Sequence, residues 1–337
     1  MSDGAHKSIG LFTKIACDSV MIYGDLTMHA ATDIDLNVSL GPLKLSNPIT
    51  VASGTFGYGI EFAPFVDLNR IGAIVVKGLT VEVRPGHPQP RLVETPSGML
   101  NCIGLQNVGI DVFIREKLPF LSQYRTAVIA NINGRSIEDY VRLANILEDQ
   151  PGVAALEVNV SCPNVKQGGI SFGTDPSLTE AVTKAVRTAS TKPLIVKLSP
   201  NVTNISAIAR AAMDGGADIL SAINTLLGMA IDVESGKPLL SNLTGGLSGP
   251  CIRPVAVRCV FDIHRATRLP VIGMGGIASG RDAVEFMMAG AAAVSIGTEN
   301  FVRPDAATVI LDEMIEFCST HGILHIRDLT GSVQIPI

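Results

Sequence analysis

The chain has 337 residues, 47% hydrophobic and 17% charged, enough apolar material for a large core and too much for global disorder. Its 26 basic and 31 acidic residues are interspersed and leave a net charge of −5, which excludes a general nucleic-acid binder but leaves room for a local basic pocket. The longest apolar runs, such as 289–296, are far too short to span a bilayer, so no membrane segment is expected.

In chain order, residues 1–34 come first. They are mildly apolar between Ile9 and Asp25 but carry Lys14 and Asp18, and they read as an N-terminal extension of unassigned role. Residues 35–337 read as one domain, with no linker marked by a shift in composition. Within it, short β-rich runs alternate with helical patterns. The strand candidates are Ile49–Ser53, Ala73–Gly78, Thr126–Ile132, Val153–Val160, Pro193–Leu198, Asp218–Ile223, Pro270–Gly275 and Ala292–Gly297. Each is apolar nearly throughout, as parallel strands covered on both faces are. Helical patterns follow most of them. The pattern at Ser136–Glu148 opens on an N-capping serine, Thr203–Asp214 stops before Gly215–Gly216, and Ser279–Ala289 stops at Gly290.

Eight such units predict a closed (β/α)8 TIM barrel, with an open doubly wound sheet as the alternative. Long inserted loops follow strands 2, 4 and 6. Residues 79–108 and 224–250 are rich in Gly, Pro, Asn and Thr, and Val165–Thr174 carries Gly168, Gly169 and Gly173 and reads as a lid. All three follow the carboxyl end of a strand, where barrels place their working loops.

Polar residues cluster at those same ends. Lys77, Asn131 with Asn133, Asn159 followed by Cys162, Lys197, and Asn224 with Thr225 each close or follow an apolar run. One strand-end Lys or Asn merely meets water or caps a turn. Five strands doing so line one barrel mouth with amides, ammoniums and a thiol. The last two strands close instead on Gly275–Gly276 and Gly297–Thr298, at the loops where barrels commonly hold phosphate. No G-x-G-x-x-G element opens a helix after the first strand, which disfavours a Rossmann dinucleotide site.

The six histidines, at 6, 29, 87, 264, 321 and 325, all lie away from strand ends, so a histidine base is not expected. The six cysteines show neither CxxC nor zinc spacing, and reduced thiols in the cytoplasm are the expectation. Cys251, Cys259 and Cys318 fall in helical patterns and read as packing, as does Cys102 in the first long loop. Cys162, in the polar run Asn-Val-Ser-Cys-Pro-Asn, is the acid–base candidate.

That run, Asn159 to Asn164, followed by Val-Lys-Gln-Gly-Gly, resembles the catalytic loop of class 1 dihydroorotate dehydrogenases. Ser46 to Gly57, Asn101 to Asn107, Val196 to Asn201, Ile223 to Gly228, Thr244 to Pro250 and Gly273 to Ile277 resemble further family segments, so the likeness covers roughly residues 36–328. It is nearest to the class 1B catalytic subunit.

The resemblance implies one FMN per chain, contacted by Ser53, Lys77, Gly78, Asn131, Asn159, Lys197, Ile223, Gly249, Gly275, Gly276, Gly297 and Thr298. It implies a pyrimidine substrate contacted by Lys77, Asn101, Cys102, Ile103, Gly104, Leu105, Asn159, Asn164, Asn224 and Thr225. The implied reaction oxidises dihydroorotate to orotate in pyrimidine biosynthesis, with the C6 hydride going to FMN N5 and the C5 proton to Cys162. No metal site is implied on this chain. Electrons are expected to reach NAD through a separate iron–sulfur flavoprotein subunit carrying FAD and a [2Fe-2S] cluster, in a heterotetramer built on a homodimer. The alternatives are a stand-alone class 1A enzyme delivering electrons to fumarate, a dihydropyrimidine dehydrogenase-like activity, and a catalytically silent flavin-binding paralogue.

Overall fold

The structure, a computed structural model, describes residues 34–160 and 172–336. The N-terminal extension (bar Ile34), Cys162, Asn164 and all but the end of the expected lid lie outside the described residues.

A short antiparallel hairpin comes first, β1 (Val38–Leu40) and β2 (Leu43–Leu45), which the sequence reading did not anticipate. Eight parallel strands then close into a barrel. They are β3 (Ile49–Val51), β4 (Ala73–Val75), β7 (Ala127–Ile132), β8 (Ala155–Asn159), β9 (Leu194–Leu198), β10 (Ile219–Ala222), β15 (Val271–Met274) and β16 (Ala293–Ile296). Each expected strand is present, shorter by one to three residues at one or both ends. Nearly every residue in them is buried, because one face fills the lumen and the other meets helices.

Helices α1 (Ile110–Val112) and α2 (Leu118–Leu121) flank a π turn after the first long excursion. The main ring comprises α3 (Ile137–Glu148), α4 (Pro176–Ala189), α5 (Ile205–Asp214), α6 (Arg253–Thr267), α7 (Gly280–Met288) and α9 (Ala306–Thr320), with a short α8 (Glu299–Val302) after β16. Their starts are set by side-chain caps. Ser136 accepts from Asp139 N, Asp175 from Leu178 N and Ser279 from Asp282 N. The cap of α5 is Asn204, which accepts from Ala207 N, so that helix begins at Ile205, two residues inside the expected pattern. No helix among the described residues is long and apolar enough to cross a membrane.

The two excursions are not independent loops. The first contributes β5 (Leu92–Thr95) and β6 (Gly98–Asn101). The second contributes β11 (Leu226–Gly228), a two-residue hairpin β12 (Ile231–Asp232) and β13 (Lys237–Pro238), and β14 (Gly245–Ser248). They join as one antiparallel sheet in the order β11-β14-β6-β5, with Asn101 opposite Gly246. This sheet stands over the carboxyl end of the barrel. At the other end the β1–β2 hairpin buries Val38, Leu40, Leu43 and Leu45. Gly41, in its turn, lies against the carbonyl of Asp218 just before β10.

Candidate active site

One cleft of about 370 Å³ opens at the carboxyl ends of the barrel strands, roofed by the excursion sheet. Every described residue expected at the site lines it. Ser53, Lys77, Gly78, Asn131, Asn159, Lys197, Ile223, Asn224, Thr225, Gly249, Gly275, Gly276, Gly297 and Thr298 meet there with the Asn101–Leu105 segment. Arg91, Gln106, Ser248 and Ser295 line it as well, and strand-end reasoning missed them. The first three sit on or beside the excursion sheet, whose pairing no local pattern announces. Ser295 lies inside β16, where one serine among apolar residues looks like packing.

The first strands deliver the amides. Asn131 Nδ2 donates to Glu157 at 2.6 Å, and Asn133 Nδ2 donates to Asn131 Oδ1 at 2.8 Å. Asn224 Nδ2 donates to Asn159 Oδ1 at 3.3 Å, while the Asn159 carbonyl is held from behind by the Tyr140 hydroxyl. Gly78 must lack a side chain, since a Cβ there would stand 2.4 Å from Asn133 Nδ2.

In the roof, Asn101 Nδ2 donates to the Gly246 carbonyl, and Gly104 and Leu105 both take positive φ, 75° and 56°. Leucine rarely adopts that conformation, and such strain concentrates at binding loops. His87 braces this turn through Cys102 O and Ile103 O. The Cys102 side chain packs away from the cleft with Leu100 and Leu240, so Cys102 contributes backbone to the wall, in keeping with its reading as packing.

The last strands supply a cradle free of side chains. Gly249, Gly275 and Gly276 have φ of 100°, 129° and 81°. A Cβ on Gly276 would meet the Gly249 carbonyl at 2.6 Å, so two backbone turns touch directly. Thr298 donates to Ser248 across the same region at 2.8 Å.

Among the described lining residues there are three cations, Lys77, Arg91 and Lys197, and no carboxylate. Burial pulls the Lys77 pKa down, and the nearby Arg91 charge adds to the shift. Ser295 Oγ and Asn133 Oδ1 are buried without a hydrogen-bond partner. A cationic, amide-rich cleft with one unpartnered serine hydroxyl in its wall and a bare glycine cradle suits an anionic, phosphate-bearing heterocycle.

The profile of the dihydroorotate dehydrogenase family matches residues 35–318. The chain belongs to the dihydroorotate dehydrogenase family. A relative from Pelobacter propionicus, described as dihydroorotate dehydrogenase B (NAD(+)), catalytic subunit, is 56% identical over 300 residues, 89% of this chain and 99% of its own length. Proteins of the same description from Geotalea uraniireducens and Desulforamulus reducens are 56% and 54% identical over 299 and 302 residues, covering 89% and 90% of this chain and 98% and 99% of their own lengths. Among solved structures, a dihydroorotate dehydrogenase from Eimeria tenella in complex with ferulenol aligns over 88% of each chain with a TM-score of 0.75. At 23% identity, that likeness speaks for the shared barrel.

Proposed function

We propose that this chain is the catalytic subunit of a cytoplasmic B-type dihydroorotate dehydrogenase, oxidising dihydroorotate to orotate with FMN and Cys162. The observation that carries the reading is the cleft itself: strand-end amides, a buried and a part-buried lysine and a glycine cradle meet in one cavity that has no carboxylate among its described lining residues. Family membership supplies the chemistry that such a cleft serves.

In this reading Gly249, Gly275, Gly276, Gly297 and Thr298 hold the FMN phosphate, and Ser53, Gly78, Asn131, Lys197 and Ile223 hold the ring. FMN, when bound, supplies the acceptor for the hydride leaving C6. The Asn101–Leu105 turn, Asn159, Asn164, Asn224 and Thr225 orient the pyrimidine, whose alternating N–H and C=O groups match amides that donate on one side and accept on the other. Lys77 balances the substrate carboxylate. An arriving anion offsets the burial that depresses its pKa. Cys162 follows Asn159 by three residues and takes the C5 proton on its sulfur, as a thiol titrating near pH 8.5 can do close to neutrality.

The relatives are described as NAD(+)-linked catalytic subunits, which favours delivery of electrons through a separate iron–sulfur flavoprotein over direct reduction of fumarate. FAD and a [2Fe-2S] cluster then belong to that partner, in a heterotetramer around a homodimer. The test is anaerobic addition of dihydroorotate to the purified yellow chain while the flavin absorbance is followed. Bleaching at one equivalent is expected, and a persistent oxidised spectrum overturns the reading.

A further inference from the structure

The function above leaves unused the one acid that the described residues bury at 0% exposure. Glu157 lies on β8 inside the barrel, 0% exposed, beneath the cleft floor. A carboxylate in such a place is costly unless donors meet its oxygens. Two do. Oε2 accepts from Asn131 Nδ2 at 2.6 Å, and Oε1 accepts from the Ser221 hydroxyl at 2.7 Å. Asn131 is its register partner on the neighbouring strand β7, whereas Ser221 sits on β10, two strands away in the other direction. The strand between, β9, carries Lys197, opposite Ser221. Glu157 therefore spans the arc of the floor from which Asn131, Asn159 and Lys197 rise.

The consequence falls on Asn131. An amide can present either end to a ligand. A carboxylate accepting two hydrogen bonds admits only the NH2 end, which turns Oδ1 the other way. That oxygen accepts from Asn133 and lies beside Gly78, where a Cβ would meet it at 2.9 Å, so it borders the cleft wall. We propose that Glu157 is a positioning residue that fixes the polarity of the Asn131 amide, so that the floor presents an acceptor to an N–H edge of the bound flavin. Ser221 anchors the second oxygen and keeps the carboxylate from swinging. This inference rests on the reading of the cleft as an FMN site.

The test is FMN binding, with activity left aside. Apoprotein freed of flavin is titrated with FMN, flavin fluorescence and the visible spectrum are recorded, and thermal unfolding is measured alongside. Failure of the unaltered protein to bind FMN defeats the functional reading and is seen before any variant is made. With binding established, Glu157→Gln, nearly the same size but able to donate as well as accept, releases the choice of amide orientation. FMN affinity is expected to fall about tenfold, with a shifted absorption band. Glu157→Asp keeps an acceptor-only group on a shorter stem and is expected to retain affinity within about threefold while melting at a lower temperature. A purely structural Glu157 also lowers the melting temperatures of both variants but leaves FMN affinity and spectrum unchanged in Glu157→Gln. That result overturns the proposal. If Glu157→Gln yields no folded protein, Ser221→Ala, which frees the second carboxylate oxygen, is expected to lower FMN affinity several-fold, and unchanged affinity and spectrum in that variant overturn the proposal equally.

Discussion

At the amino end of the barrel, Glu148 at the close of α3 accepts from Ser190 and Thr191, and Lys192 donates to the carbonyls of Gln150 and Val153. In the same region Arg187 pairs with Asp218, which also takes the amide of Leu194. Charges there meet an opposite charge, hydroxyls or backbone, and the leucines of the β1–β2 hairpin are buried. At the carboxyl end, three cations face a cleft without a carboxylate among the described residues. One end spends its polar groups on the fold. The other gathers cations and amides around a cleft, as barrels separate stability from catalysis.

The sharpest break in that contrast comes from Cys162. Replacing it with serine, a far weaker base, is expected to slow flavin reduction by dihydroorotate by about 10²–10⁴-fold at pH 7, with a narrower deficit at alkaline pH. Single-turnover absorbance at pH 7 and pH 9 reads both. Equal rates at neutral pH remove Cys162 from the role. At the opposite end, Leu40→Ala opens a hole beneath a side chain that is 0% exposed. A loss of about 2–5 kcal/mol in urea unfolding is expected, with turnover per bound flavin unchanged. A fall in turnover per flavin would show that the two ends are not separable.

A third test probes the mouth without touching the chemistry. Gly276→Ala places a Cβ 2.6 Å from the Gly249 carbonyl on a residue with φ of 81°. Backbone must move, and the moving part is the proposed phosphate cradle. FMN retention through gel filtration is expected to drop several-fold, whereas the apoprotein loses only about 1 kcal/mol, a melting shift of about 2 °C. A large apoprotein shift with intact flavin content would assign the glycine to stability instead.

The barrel was legible because its strands are buried on both faces and therefore apolar nearly throughout. The strand ends were legible because polarity changes abruptly there, at Lys77, Asn131, Asn159 and Lys197. The excursion sheet was not. β6 pairs with β14 across some 145 residues, as Asn101 with Gly246, and nothing local in either segment marks a partner so distant. Arg91, Gln106 and Ser248 stayed hidden for the same reason. The role of Glu157 was not legible, because only closure of the barrel puts donors from β7 and β10 around it. The β1–β2 hairpin, two three-residue strands, is too short to show a period.

The smallest expected effect tests the closed accounting of the amino end. Hydrogen bonds from Ser190 and then Thr191 pull the Glu148 pKa down from 4.5 to about 2. A carboxyl depressed on folding stabilises the protein above its unfolded pKa, and the contribution fades as pH falls from about 4.5 through about 2, because the unfolded chain binds the proton first. Glu148→Gln removes that dependence. At pH 7 the variant is expected to be less stable by about 1 kcal/mol, the net worth of partly solvated hydrogen bonds to a charged acceptor. Near pH 2 the gap should close, since the native carboxyl is then losing its charge as well. Urea unfolding at pH 7, 4 and 2.5 measures the difference. A gap that stays constant across this range would mean that the amide serves the α3–α4 clasp as poorly at every pH, and that the clasp works by shape and not by charge.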